Sequence, residues 1–364
     1  MKIGLIKCTE ENLVALVPKV VSRLVSDGYD VYFETGASDE SNYSDEEYVS
    51  AGAKSADRED IIVSSDILIT VAGLSDADIS KIKPETFVVG KFGFTQGLIQ
   101  TLEDHKIKAF SLERLPRSSI AQSMDVLSSL ASLSGYKAVL LSADNFGGYF
   151  PMMTTSAGTI PPAKILIIGA GVAGLQAIAT ARRLGAVVEA FDVRSSVKEQ
   201  VESLGAKFIE VAGSTEDAGA GGYAVEQTED YIAKQKELIH QSCIKADAVI
   251  TTAAIPGKKA PVLVEKRTVQ AMNAGSVIVD LAAATGGNCE LTENDEMINV
   301  EGVKIIGDSR LYNSMSKQAS LVFSNNVYSF LKFVFKDGLE AIPYDNEIVS
   351  KTLISERKER TVSA

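Results

Sequence analysis

The chain has 364 residues, a length that implies two domains at about 100 to 200 residues each. With 45% of residues apolar and 23% charged it has the balance of an ordinary soluble protein able to bury a large core. The formal net charge of −12 sets the surface against phosphate backbones and anionic headgroups. Nucleic acid is therefore excluded as an expected partner. With no polybasic segment or lipidation motif, direct membrane insertion is not expected either, and membrane attachment would run through another protein.

The first residues enter a strand-like run at once, with no signal or transit peptide. Apolar runs at 3–6, 31–33, 67–71, 87–89 and 109–111 alternate with helical patterns, the first over 13–24, which predicts a parallel sheet with crossover helices. From about Ala121 to Leu141 the apolar spacing is helical and is expected to join the two domains. A looser stretch with Gly147, Gly148, Pro151, Gly158, Pro161 and Pro162 follows.

A second set of strands is predicted at 164–168, 187–191, 207–211, 248–252, 276–280 and 303–306. The longest apolar run, 165–181, contains Gly169, Gly171, Gly174 and Gln176 and falls short of the roughly 20 residues of a membrane span, so it reads as a buried strand leading into a buried helix. Leu321, Phe323, Val327, Phe330, Leu331 and Val334 stand at helical spacing and are expected to return to the first domain. The fold class is α/β, with two Rossmann-like domains: residues 1–126 with 315–364, and residues 127–314.

The hexad Gly169-Ala170-Gly171-Val172-Ala173-Gly174 directly follows an apolar strand and opens a helical run ending at Gly185. Gly169 permits the tight turn, Gly171 lets backbone approach a pyrophosphate, and Gly174 allows close helix-to-strand packing, with the positive helix end facing the phosphates. The run Asp192-Val193-Arg194 ends the second strand, Asp192 lying 18 residues beyond Gly174. An acid there accepts hydrogen bonds from ribose hydroxyls and repels a 2′-phosphate, favouring NAD(H) over NADP(H). The stretch Ala218-Gly219-Ala220-Gly221-Gly222-Tyr223 reads equally as a loop closing over a ligand or as an idle surface loop.

Cys8, Cys243 and Cys289 are odd in number and widely separated, matching neither a disulfide framework nor zinc spacing, so a reducing cytosol and no metal are expected. His105 and His240 are the only histidines, each among polar helix-like residues.

With these residues assembled, the chain resembles the NAD(H)-binding soluble alpha subunit of proton-translocating nicotinamide nucleotide transhydrogenase (the Si-specific/Re-specific type). The likeness is densest in Pro116-Arg117-Ser118-Ser119-Ile120-Ala121-Gln122-Ser123-Met124-Asp125-Val126-Leu127-Ser128-Ser129, in 168–184, in Thr251-Thr252-Ala253-Ala254-Ile255-Pro256-Gly257-Lys258, and in Asp280-Leu281-Ala282 with Gly286-Gly287-Asn288-Cys289. The resemblance implies NAD(H) in a cleft between two Rossmann-like domains, a homodimer, and hydride transfer to NADP(H) held by a partner beta subunit. It also implies membrane-spanning subunits that couple transfer to proton movement, and a cytoplasmic location on the inner face of the plasma membrane through them. It assigns Arg117, Gln122, Asp125 and Ser128 to a polar cluster around the nicotinamide, with Ser118 and Ser119 beside it. Gly222 and Tyr223 match its mobile loop, and Gln235 and Ala254 its nucleotide contacts.

The spacing of Gln122, Asp125 and Ser129 predicts one helix face, which a solvated helix start with an Asp at the positive end would explain equally well. Oxidation of alcohols or amino acids needs a proton carrier, commonly His or Lys, whereas transfer between two nicotinamides needs only positioning and excluded water. A histidine-poor chain suits the second task. The alternatives are an alanine dehydrogenase, whose arginine, lysine and histidine fall where this chain reads Asn12-Leu13-Val14, Ile69-Thr70 and Phe92-Gly93, and a non-catalytic NAD(H)-sensing module. Leu13, Thr70 and Ile120 also depart from the transhydrogenase pattern.

Overall fold

The computed structural model describes residues 1–93, 96–211, 228–255 and 257–355. The chain divides into two compact units, Met1–Leu130 with the chain from Asn313 onward, and Ala131–Tyr312. Both are α/β.

In the first unit, β1 (Lys2–Leu5), β2 (Asp30–Glu34), β3 (Lys54–Ala56), β4 (Ile67–Ala72), β5 (Phe87–Lys91) and β6 (Lys108–Ser111) form one sheet in the order β3-β2-β1-β4-β5-β6. Every pairing is parallel. A short antiparallel pair, β7 (Met153–Thr155) and β8 (Gly158–Ile160), comes next in the chain.

The second unit contains β9 (Lys164–Ile168), β10 (Val187–Phe191), β11 (Lys207–Ile209), β12 (Ala248–Thr251), β13 (Val277–Asp280), β14 (Glu296–Val300) and β15 (Val303–Gly307), ordered β11-β10-β9-β12-β13-β15-β14. Only β14, at the edge, runs antiparallel. Both sheets reverse direction of winding beside their first strand, so each has a switch point where open α/β sheets leave a crevice at the carboxyl ends. The apolar content of β9 explains its central place: Ile165 and Ile167 pack into one core while Leu166 and Ile168 pack into the core on the opposite face. A strand buried on both sides needs such an unbroken run.

The predicted helix over 13–24 begins later, as Pro18–Ser26. Proline pre-sets the first helical turn and pushes its predecessor to extended backbone, and Val17 has φ −87° and ψ 156°. Leu13 to Val17 stay buried without helix, their Val14 and Val17 N–H groups donating to Ser320 Oγ (3.0 Å) and Ser324 Oγ (2.9 Å).

Those serines lie on the last long helix, Ser316–Val334, which packs inside the first unit. Its Phe330 meets Phe110 of β6 edge-on at 5.4 Å between centroids, and the neighbouring Phe335 meets Phe87 of β5 at 5.2 Å. Helix Val126–Asn145 is long and apolar enough to cross a membrane by length and composition alone. It carries Lys137 and Asp144, however, and its Leu130, Ala138 and Val139 are buried in protein cores.

Phe330 and Phe110 are both fully buried, so Phe330→Ala is expected to destabilise the first unit by about 3 to 5 kcal/mol. Urea unfolding followed by circular dichroism checks this. A cost under about 1 kcal/mol would mean that the C-terminal helix adds little to that core.

Candidate functional site

The glycine turn follows β9. Gly169 has φ +101°, a left-handed conformation that a side chain makes costly, and its N–H donates to Phe191 O at 2.8 Å. Helix Val172–Arg183 starts at once, with Gly171 at its N-cap. That position supplies no capping side chain, the first turn holds no acid, and Arg182 and Arg183 occupy the last turn. The positive end of the helix dipole is thus left without an internal counter-charge from its own residues.

Gly174 sits one turn in, where a Cβ would lie 1.8 Å from Gly169 O; no side chain fits without displacing the turn. Gly171 is the opposite case, since a Cβ there would meet nothing within 4 Å. Its backbone faces open space. Ala170 is buried, Ala173 half-buried, and Val172 is 44% exposed.

Asp192, just past β10, is only 8% exposed. Its Oδ2 accepts the Ala170 N–H at 2.8 Å, which ties the glycine turn to the end of the neighbouring strand. The rest of the carboxylate is taken up by Arg194: Oδ1 accepts from its backbone N–H (2.9 Å) and Nε (2.8 Å), and Oδ2 from Nη2 (2.8 Å). That hydrogen-bonded carboxylate raises the guanidinium further above its usual range, against the opposing pull of burial. Val193 packs against the core between them in sequence.

Helix Glu229–Cys243 buries Tyr231, whose phenol is pushed up by burial and then by the nearby charges of Asp192 and Glu210. Gln235, one turn on, is 6% exposed on the same buried face. Gly222 and Tyr223 lie outside the described residues.

The far side of the turn is braced by β12. Thr252 Oγ1 donates to Gly169 O at 3.0 Å, and Ala254, two residues on, is exposed. Asn288 clamps the residue between, its Oδ1 accepting Ala253 N–H (2.9 Å) and its Nδ2 donating to Ala253 O (2.8 Å) and Pro261 O (2.9 Å).

Asn288 is held in turn by Asp280, a wholly buried carboxylate that accepts from Thr251 Oγ1, Thr292 Oγ1 and the N–H groups of Ala282, Asn288 and Cys289 at 2.7 to 3.0 Å. Thr252, Asp280 and Asn288 carry no role in the sequence reading. Their signal was the Asp280-to-Asn288 spacing, which became meaningful only once the loop between them folded back.

In the first unit, Asp125 and Ser128 come together: the Asp125 carboxylate accepts Ser128 N–H at 2.9 Å and Ser128 Oγ–H at 2.6 Å. This overturns the expected continuous helix face through Gln122, Asp125 and Ser129. Residues Ala121–Met124 form a 3-10 turn, Asp125 is extended (φ −74°, ψ 91°), and the α-helix begins at Val126.

The physical reason is the cap, because an aspartate that accepts from the third helical N–H ends the preceding turn and starts the helix. Arg117, Ser119 and Gln122 are exposed and Ser118 is half-buried. Asn326 of the C-terminal helix donates to Ser123 O at 2.8 Å and so anchors the turn.

Leu13, Thr70 and Phe92 are all buried, so no titratable side chain stands at those positions. Sequence reading missed their neighbours, Lys91 and Glu11, which form a buried ion pair at 2.6 Å. Eighty positions separate them, beyond the reach of any local pattern. Cys8, Cys243 and Cys289 are buried and free, and burial pushes the Cys289 thiol up to about 11, away from thiolate chemistry at neutral pH. Among the described residues no cluster of three or more His, Cys, Asp or Glu could hold a metal.

A glycine turn, an uncapped helix end and an acid closing the second strand of a doubly wound sheet define the Rossmann class of dinucleotide folds. Family models place the chain more narrowly: residues 7–134 match the alanine dehydrogenase/PNT N-terminal domain and residues 138–362 its C-terminal domain. The chain belongs to this family.

It is 42% identical to the first of the separate polypeptides that make up NAD(P) transhydrogenase subunit alpha in Rhodospirillum rubrum, over 97% of this chain and 92% of that protein. The crystal structure of transhydrogenase from Sinorhizobium meliloti matches with a TM-score of 0.88 at 39% identity, covering 97% of this chain and 98% of that one. Alanine dehydrogenase of Staphylococcus epidermidis is a more distant relative, 30% identical over 80% of this chain and 75% of its own. Within the family the chain therefore groups with the NAD(P) transhydrogenase alpha subunits.

Asp280→Ala strips the common acceptor from five donors while leaving the glycine turn's own sequence intact. It is expected to cost about 3 kcal/mol or more of second-unit stability in urea unfolding. Asp280→Asn, which keeps one acceptor oxygen, is expected to cost less.

Proposed function

We propose that this chain is the NAD(H)-binding subunit of a proton-translocating transhydrogenase of the Si-specific/Re-specific type. It exchanges hydride between NAD(H) on its own second unit and NADP(H) on a partner beta subunit. Membrane-spanning subunits couple the exchange to proton translocation.

The observation that carries the reading is the open space in front of Gly171, bordered by an uncapped helix N-terminus and by the buried Asp192. A pyrophosphate fits a site of that charge and shape, and ribose hydroxyls suit an acceptor-only carboxylate.

The chemistry supplied by the nicotinamide is hydride donation or acceptance, so this chain has to bind, orient and exclude water rather than move a proton. Arg117 and Asp125 bias the charge and rotation of the nicotinamide, Gln122 orients its carboxamide, and Ser128 fixes the Asp125 carboxylate through the bond described above. Ser118, Ser119, Ala254, Gln235 and the loop at Gly222 and Tyr223 complete the nucleotide contacts.

Buried apolar groups at Leu13 and Phe92 leave no carrier there for the imine chemistry of an alanine dehydrogenase. The protein acts as a homodimer, cytoplasmic and peripheral on the inner face of the plasma membrane. The net charge of −12 favours attachment through partner subunits over direct contact with anionic lipid.

Gly171→Val tests the reading with the fold held constant. Its φ is −77° and no neighbour stands in the way, so thermal stability is expected to be unchanged. Calorimetry is expected to show NADH binding to the unaltered protein far above NADPH, and at least a tenfold loss for the variant, about 1.4 kcal/mol. Equal NADH affinity in both would refute the site.

Gln122→Ala is expected to slow stopped-flow hydride transfer to NADP analogues on the partner subunit. An unchanged rate removes Gln122 from its role, and absence of any transfer with intact partner subunits favours the sensing module.

A further inference from the structure

Asp192 and Arg194 are two residues apart just beyond β10, and the arginine engages its own acid through backbone N–H, Nε and Nη2 at once. The pair is largely shielded, with side-chain exposures of 6% for Asp192 and 22% for Arg194. Planar, bidentate pairing of this kind is the geometry by which arginine also receives phosphate.

Resting on the NAD(H) reading above, we propose that Arg194 is a latent receptor for a 2′-phosphate, held out of that role by Asp192, so that this one ion pair sets the choice of NAD(H) over NADP(H).

The physical logic has two parts. Asp192 accepts four donors, and the neutral hydroxyls of an adenosine ribose can add to that set or replace the guanidinium bonds without bringing charge. A 2′-phosphate brings close to two negative charges beside a buried carboxylate, where repulsion is poorly screened.

The same carboxylate occupies the cation that would neutralise that phosphate. Selectivity is therefore a matter of which anion holds Arg194, and both halves reverse together when the acid loses its charge. Asparagine keeps an oxygen for the Ala170 and Arg194 N–H groups, so the turn retains its brace.

The test is a double-substitution cycle with NADH and NADPH as probes, read by calorimetry on the intact chain. Asp192→Asn is expected to raise NADPH affinity at least tenfold and lower NADH affinity. The gain is expected to weaken with added salt and to vanish when Arg194→Gln is added to Asp192→Asn.

An equal gain with glutamine at position 194, or no gain at all while NADH still binds, overturns the proposal. If Asp192→Asn fails to fold, Arg194→Gln alone decides. NADPH affinity within about twofold of the unaltered protein supports an arginine already committed to Asp192, whereas a tenfold drop shows that it already meets the phosphate. Absence of NADH binding to the unaltered protein refutes the underlying dinucleotide site instead.

Discussion

The hydrogen bond from Ala170 N–H to the Asp192 carboxylate is the contact on which the second unit's site depends. It joins the middle of the glycine turn to the end of the adjacent strand, so the backbone meant for phosphates and the acid meant for ribose are fixed in one piece. Burial of that carboxylate is expensive unless it is fully paired, and the Ala170 and Arg194 donors meet that need. The rest of the turn is built around the same economy of space. Gly174 lies against Gly169 O and Thr252 caps it from the far side, while Asn288 and Asp280 hold the strand end that carries Thr252.

The two units carry different chemistry. The second presents backbone N–H groups, a helix end and an acid, all suited to holding a charged dinucleotide still. The first presents a short polar run whose Asp125 doubles as a helix cap, so the carboxylate is oriented by the fold before any ligand arrives. That dual use makes a structural and a functional account of Asp125 compatible. A substitution there would disturb the helix start as well as any nicotinamide contact, and Gln122, exposed and outside the cap, isolates the functional part. The Lys91–Glu11 pair is a further charged feature of the first unit, and a pair so buried is weak evidence for stability in its own right.

Much of this was legible from the residues. Strands buried on both faces announce themselves as unbroken apolar runs, and β1, β4, β5, β9, β12 and β13 all do so. The glycine hexad marked the turn because each glycine has a steric task there. The strands that escaped notice are β3, β14 and the β7–β8 pair, whose Lys54-Ser55, Glu296-Met297 and Thr154-Thr155 positions are largely exposed and carry no alternating pattern. Helix starts at Pro18 and Val126 were misplaced because periodicity cannot see a proline-imposed extended residue or an aspartate cap. The Asp192–Arg194 pairing was within reach, since alternate residues on extended backbone share a face. The Asp280–Asn288 scaffold and the Lys91–Glu11 pair depend on tertiary closure and were not.

The most direct test of the account is a crystal structure of the protein with NADH. The central claim places the pyrophosphate against the Gly171 backbone at the start of helix Val172–Arg183, with adenosine ribose hydroxyls within hydrogen-bond distance of Asp192. A dinucleotide bound elsewhere on the chain, with that turn and carboxylate unaltered and unoccupied at saturating NADH, would contradict it.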